Sequence, residues 1–230
     1  MSSENNPFIQ LIADHPKIAA DRPNPNQPTL DYTHQMVTSD GQEVNIRPIK
    51  CDDKNKLKEF HSRLSSNSLY LRYQYFKGEL SESDLQMFCN VDYNNTLGLV
   101  AEIKKDKQKY IIGVGRYARL NDPQIAEMAF VVQDSEQRKG IGTQLLRHLA
   151  ILAWERDIRY FVGELLRENG RMINILQKSA PKMTQLNEGS TCTITIKVED
   201  ARDNTPVAWS AATRLCKQKA GAKAETPLKS

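Results

Sequence analysis

Residues 125–154 read "IAEMAFVVQDSEQRKGIGTQLLRHLAILAW". The first nine, Ile125 to Gln133, form an apolar run of strand length. From Gly140 the sequence keeps helical spacing as far as Trp154, which predicts a helix over 140–156. Between the two lie Arg138, Lys139, Gly140 and Gly142. A helix N-terminus presents unpaired backbone N–H groups and a partial positive charge, and glycine lets an anion approach that backbone closely. The segment therefore reads as an anion cradle. A nucleoside-triphosphate loop needs G-x-x-x-x-G-K-[ST], which is absent. A dinucleotide fingerprint starts at Gly140 and Gly142, and Glu164 even stands near the place of a ribose-binding acid. Its third glycine position is Leu145, however, and the run Asp134 to Lys139 occupies the place of the tight turn that fold requires.

Upstream, "EVNIRPI" at 43–49 alternates and stops at a proline, as a first strand does. Asp52 or Asp53 can cap a helix carrying Leu57, Phe60 and Leu64, and "SNSLYLRYQYF" follows as a second short helix. Ser81 with Asp84 forms a capping-box pattern for a third. "LGLVAEI" and "KYIIGVGRYARL" read as a hairpin turning on "KKDKQ", "RYFVGELL" as a further strand, and Asn169 to Ser179 as a helix. "TCTITIKV" is expected to close the sheet. With no internal repeat, the pattern predicts one α/β (α+β) domain over 44–198, a mixed, mostly antiparallel sheet flanked by helices. Residues 1–43, rich in Pro, Asn and Asp, read as an irregular extension, and 199–230 as a basic C-terminal tail.

Composition limits the function classes. Hydrophobic residues at 39% and charged residues at 26% describe an ordinary globular protein. No run approaches the roughly 18 apolar residues of a transmembrane helix, and prolines interrupt the place of a signal peptide, which points to the cytosol and away from a membrane partner. Four cysteines without C-x-x-C spacing suggest free thiols, neither a disulfide framework nor a metal site. The net charge of +4 is too small to argue nucleic-acid binding, and it resides in the tail: Arg214, Lys217, Lys219, Lys223 and Lys229 against Glu225. Such a tail is a solvated terminus or a partner-binding arm.

Gln137-Arg138-Lys139-Gly140-Ile141-Gly142 resembles the Q/R-x-x-G-x-G/A signature of the GNAT superfamily of N-acetyltransferases, with "AEMAFVVQ" before it and "ENGRMINIL" after. "IRPIKCDDKNKLKEFHSRLSSNSLYLRY" is similar to the opening of the Pat-type bacterial protein lysine acetyltransferases, with their "LS-x-x-S-x-Y-x-R" segment. The likeness runs from about 44 to 198. It implies acetyl-CoA as co-substrate, its pyrophosphate met by the amides of Arg138 to Thr143 with help from the Arg138 and Lys139 cations. It also implies pantetheine pairing along Phe130, Val131 and Val132, the N–H of Val132 as an oxyanion donor, and Glu127 as general base. Asn169 is either a coenzyme contact or a helix N-cap. Residues 1–43 are too short to house the regulatory modules often fused to such enzymes.

The chemistry needs such a base. Removing a lysine proton at neutral pH costs on the order of 4 kcal/mol, given a reference pKa near 10.4. Alternation places Ile125, Ala129 and Val131 on the face of Glu127, an apolar setting that raises a carboxyl toward the useful range. Two departures stand out. Many members carry a tyrosine general acid seven residues after the asparagine, where this chain has Leu176, and "KSAPKM" replaces the usual "K-x-G-F". A thiolate is a tolerable leaving group without that acid. The expected activity is acetyl transfer to a lysine ε-amine of a protein such as an acyl-CoA synthetase. A small-amine acceptor, or a non-catalytic acetyl-CoA sensor in which Glu127 faces solvent, stays open.

Overall fold

The computed structural model describes residues 30–203. One eight-stranded sheet runs in the order β1-β2-β3-β4-β5-β6-β8-β7. The strands are β1 His34–Val37, β2 Glu43–Pro48, β3 Thr96–Lys105, β4 Gln108–Arg119, β5 Ile125–Val132, β6 Tyr160–Leu166, β7 Thr184–Glu188 and β8 Thr191–Lys197. Helices are α1 Lys54–Ser62, α2 Ser66–Tyr73, α3 Glu82–Cys89, α4 Ile141–Trp154, α5 Gly170–Ser179 and α6 Val198–Asp203. Every neighbouring pair is antiparallel except β5 and β6. The expected mixed, mostly antiparallel fold is therefore the one observed. Among the described residues no helix is long and apolar enough to cross a membrane.

Three expectations are corrected. His34–Val37, placed in the irregular extension, pairs with Val37↔Glu43 through His34↔Ile46 as an edge strand. β8 does not close the sheet, because Thr184–Glu188 pairs outside it. That strand is exposed at every position, so it carries no alternation to read. Asp53 does not cap α1 with its side chain. Its carboxylate turns inward to Arg47, 2.7 and 2.8 Å from the two terminal guanidinium nitrogens, and accepts the Lys50 N–H at 2.9 Å.

Local chemistry explains the rest. The β3–β4 hairpin turns on Asp106 (φ 48) and Lys107 (φ 66), the paired left-handed residues of a two-residue loop matched to strand twist. Ser81 and Asp84 exchange reciprocal bonds at the start of α3. Arg47 also donates its Nε to Glu102 at 2.9 Å, so one guanidinium joins β2, β3 and the turn before α1. Burial alone would raise the Asp53 and Glu102 carboxyls, but bonding to Arg47 holds both below their ordinary range. Leu145 and Ile141 of α4 lie against Gly113, and Leu145 and Phe130 against Gly115, so α4 covers one face of the sheet. Helices α1 to α3 lie over Val114, Arg116, Ala129 and Val131 on the other face, the face of Glu127.

Candidate active site

β5 and β6 pair only over Ile125↔Tyr160, Ala126↔Phe161 and Glu127↔Val162. Beyond Glu127 the two strands part, and a cleft opens between them. The Gln133 N–H donates to the Ile112 carbonyl at 2.9 Å. Alternation from that bond turns the backbone groups of Val131, Ala129 and Glu127 toward β4, and those of Val132, Phe130 and Met128 toward the cleft. Phe130 and the N–H of Val132 thus offer a strand edge to the cleft. Val131 does not: its backbone pairs with Val114, and only its side chain lines the cleft. The Val132 carbonyl accepts the Gln137 amide at 3.0 Å.

At the outer end of the cleft, Gly140 has φ 88 and precedes α4, a left-handed conformation that glycine adopts without steric cost. The first intrahelical bond runs from Gln144 N–H to the Gly140 carbonyl at 3.1 Å. The amides of Ile141, Gly142 and Thr143 therefore lack an intrahelical acceptor. A Cβ on Gly142 would stand 3.3 Å from Ile175 of α5, so this position is narrow as well. Arg138 lies in the left-handed region (φ 66) and lines the cleft. Lys139 does not line it. Its Nζ lies 2.7 Å from Asp40 and 3.0 Å from Glu136, and those carboxylates hold its pKa above the ordinary range. The expected Lys139 contribution is redirected by Asp40, on the turn between β1 and β2. Lys139→Ala should accordingly change coenzyme affinity only a few-fold by calorimetry, whereas Arg171→Ala should change it more.

Gln137 is a latch. Besides Val132, its amide donates to Ser68 of α2 at 3.3 Å, and its carbonyl oxygen accepts Arg171 of α5 at 2.6 Å. Asp134 accepts the Ser65 N–H, the Ser65 hydroxyl and the Ser68 hydroxyl at 3.0, 2.7 and 2.8 Å, which ties the start of α2 to the loop after β5. At the other end of α2, the Gln74 amide donates to the Glu164 carbonyl of β6 at 3.1 Å. Helix α2 therefore bridges the cleft, fastened to both parted strands.

Two connected cavities occupy the cleft. The outer one, about 390 Å³, runs from Arg138 and Gly142 past Phe130 and Val132, with the cations Arg171 and Lys178 on its α5 side. The inner one, about 40 Å³, holds Glu127 and Glu164. Leu71, Arg72, Phe130, Asn169 and Met172 line both and mark the junction. Burial pushes the Glu127 carboxyl up to about 7; Arg72 pulls it down and Glu164 adds to the rise. The Asn169 side chain accepts the Met172 N–H at 3.2 Å and caps α5, and the residue also lines the junction. Leu176 is buried in the wall of the inner cavity.

Of the residues the sequence singles out, Glu127, Gln137, Arg138, Ile141 and Gly142 line the cleft; Arg72, Gln74, Arg171 and Lys178 line it too, with no role assigned by the sequence. Arg72 is the arginine of the LS-x-x-S-x-Y-x-R segment and Arg171 lies in "ENGRMINIL", but neither segment by itself gives them a role. Their signal is three-dimensional, since α2 and α5 reach the cleft from distant parts of the chain.

The loop before α4, the parted strands β5 and β6 and the half-buried Glu127 carboxyl thus lie along one cleft. The chain belongs to the acetyltransferase (GNAT) family, whose model matches residues 65–179. It is 30% identical over 123 residues to the acetyltransferase PA5475 of Pseudomonas aeruginosa, a match covering 52% of this chain and 64% of that protein. The GNAT domain of S. lividans PAT is 30% identical, with a TM-score of 0.65 over 72% of this chain and 96% of that one. The yncA acetyltransferase of Salmonella typhimurium, solved with acetyl-CoA, shares the fold at 15% identity and a TM-score of 0.52, over 67% of this chain and 94% of that one.

Proposed function

We propose that this chain transfers the acetyl group of acetyl-CoA to a lysine ε-amine of a protein, an acyl-CoA synthetase being one such substrate, with Glu127 as general base. The observation that carries this reading is the Glu127 carboxyl, pushed up to about 7 at the inner end of a cationic cleft. At that value it is partly ionised at neutral pH and basic enough to accept an ammonium proton. Glu127 is half-buried and does not face open solvent, which weighs against the sensor reading.

The donor half is supported by the cradle amides, by Arg138, Arg171 and Lys178, and by the free edge at Phe130 and Val132, where an amide chain adds as a strand would. The Val132 N–H is the oxyanion donor in this reading. A protein acceptor is supported by the openness of the sheet beyond Glu127. The register Glu164↔Thr193↔Leu186 carries the same face outward across β6, β8 and β7, ending at Leu186, which is 62% exposed.

The direct test is labelled acetyl-CoA incubated with a panel of proteins and small amines, read by mass spectrometry. Label on protein lysines is expected; label on small amines alone would move the reading to a small-molecule enzyme. Gly142→Val tests the donor half. A side chain there meets Ile175 and blocks the approach to the cradle amides, so coenzyme affinity should fall at least about tenfold with the fold retained. Unchanged calorimetric binding would remove the cradle from the proposal.

A further inference from the structure

The junction of the two cavities is where a thioester bound in the outer cavity would meet an amine presented by the inner one, so any role given to its lining rests on the proposed function. That lining offers few polar groups. Asn169 caps α5 with its side-chain oxygen, and Leu71, Phe130 and Met172 are apolar. Neither cavity is lined by tyrosine, histidine or cysteine, and the position that often carries a tyrosine acid is the buried Leu176. One charged side chain remains at the junction, Arg72.

We propose that Arg72 is a catalytic residue of this site, the cation that receives the negative charge of the departing coenzyme A thiolate in place of a proton donor. In the reaction, Glu127 takes one proton from the acceptor ammonium and releases it to solvent. The neutral amine then attacks: its lone pair forms the C–N bond, and the C–S bond breaks with its electron pair left on sulfur. The second nitrogen proton goes to Glu127. The thiolate leaves as an anion beside Arg72 and takes its proton from solvent.

Three observations fit Arg72 to that task. It is carried by α2, which is fastened at one end to Asp134 and Gln137 and at the other to β6 through Gln74, so the guanidinium is held across the cleft. It belongs to the lining of both cavities, and its carbon Cζ lies 5.1 Å from the Tyr73 ring centroid, which steadies its plane. Behind it stands a second guanidinium, Arg116, 6% exposed, which donates to the Phe88 carbonyl at 2.8 Å and meets no carboxylate among the described residues. Burial and then the nearness of Arg72 push Arg116 down to about 10, where it stays charged at neutral pH. Arg72 and Arg116 line a further cavity together, so a second cation stands near the first and adds to the attraction for an anion on sulfur.

The test needs no acceptor. Coenzyme A is bound to the wild type, Arg72→Lys and Arg72→Gln, and the ionisation of its thiol is followed by thiolate ultraviolet absorbance across pH, with affinity measured by calorimetry. A free thiol titrates near 8.5. In the wild-type complex it should titrate below that value. In the Arg72→Gln complex it should rise by about 1–3 units, the usual effect of removing an adjacent opposite charge, and Arg72→Lys should fall between. A loss of packing alone would weaken binding without moving the thiol. If the wild-type and Arg72→Gln complexes both form and their thiols titrate alike, the proposal is overturned. Should Arg72→Gln not fold, the wild-type complex decides: a thiol titrating at or above its free value overturns it. Failure of the wild type to bind coenzyme A would sink the proposed function itself, and this inference with it.

Discussion

Glu127→Gln is expected to lower turnover at neutral pH by about 10²–10⁴-fold while leaving coenzyme affinity intact, because the amide keeps the shape of the side chain but accepts no proton. The pH dependence carries a sign. With its carboxyl near 7, the wild type should lose kcat/KM as pH falls through that value. The variant should lack this limb and regain part of its rate as pH rises, when more of the acceptor amine is neutral unaided. Stability should move the other way. A carboxyl raised from about 4.5 to about 7 binds its proton more tightly folded than unfolded, so its stabilising contribution is complete below about 4.5 and is lost as pH rises to 7. Glutamine does not suffer that loss. The variant should therefore melt higher than the wild type at pH 8, and by less at pH 5. Equal turnover of the two proteins at neutral pH would assign the base elsewhere, with Glu164 the nearest acid in the inner cavity.

The second large effect is structural. Arg47→Met should destabilise the fold by about 3–5 kcal/mol, because it leaves Asp53 and Glu102, both with 2% exposed side chains, buried without their shared guanidinium. Lys109 and Lys56, 3.1 and 3.5 Å from these carboxylates, pull the loss toward the lower end. Both acids are depressed in the folded wild type, so their pairing stabilises above the unfolded carboxyl range near 4 and is lost as pH falls through the lower folded values. Urea unfolding should show a wide gap between variant and wild type at pH 7 and a narrower one near pH 3. A gap that does not depend on pH would mean that packing of the arginine stem, and not its charge, is what the fold needs.

How much of this was legible beforehand depended on the range of the signal. β5, the loop and α4 were readable because period, glycines and charge lie within one segment, and the hairpin on Asp106 and Lys107 because turn chemistry is local. β1 and β7 were not: the first is four residues long, and the second shows no buried side to betray its pairing. The site divided in the same way. Glu127 could be placed by alternation and resemblance, since one strand fixes its face. Lys139 is not readable in this way, because Asp40, the residue that redirects it, lies at the β1 edge of the sheet, about a hundred residues earlier in the chain. The pairing of Val131 is not readable either, because sequence tells which way a side chain points but not which neighbour its backbone bonds. Arg47 and Asp53 lie six residues apart, yet a capping aspartate and a salt-bridged one are spelled alike.

The short parallel contact between β5 and β6 has a thermodynamic consequence. Only three residue pairs join the strand layer on the β1–β5 side to the β6–β8–β7 ladder, so the sheet is two ladders with a brief seam. A pantetheine arm along Phe130 and Val132 would act as the missing stitch. Ligand would then add cooperativity between the ladders as well as stability in proportion to RT ln(1 + [L]/Kd). Amide exchange in the β6–β8–β7 ladder, including residues that never touch coenzyme, should slow when the cleft is filled.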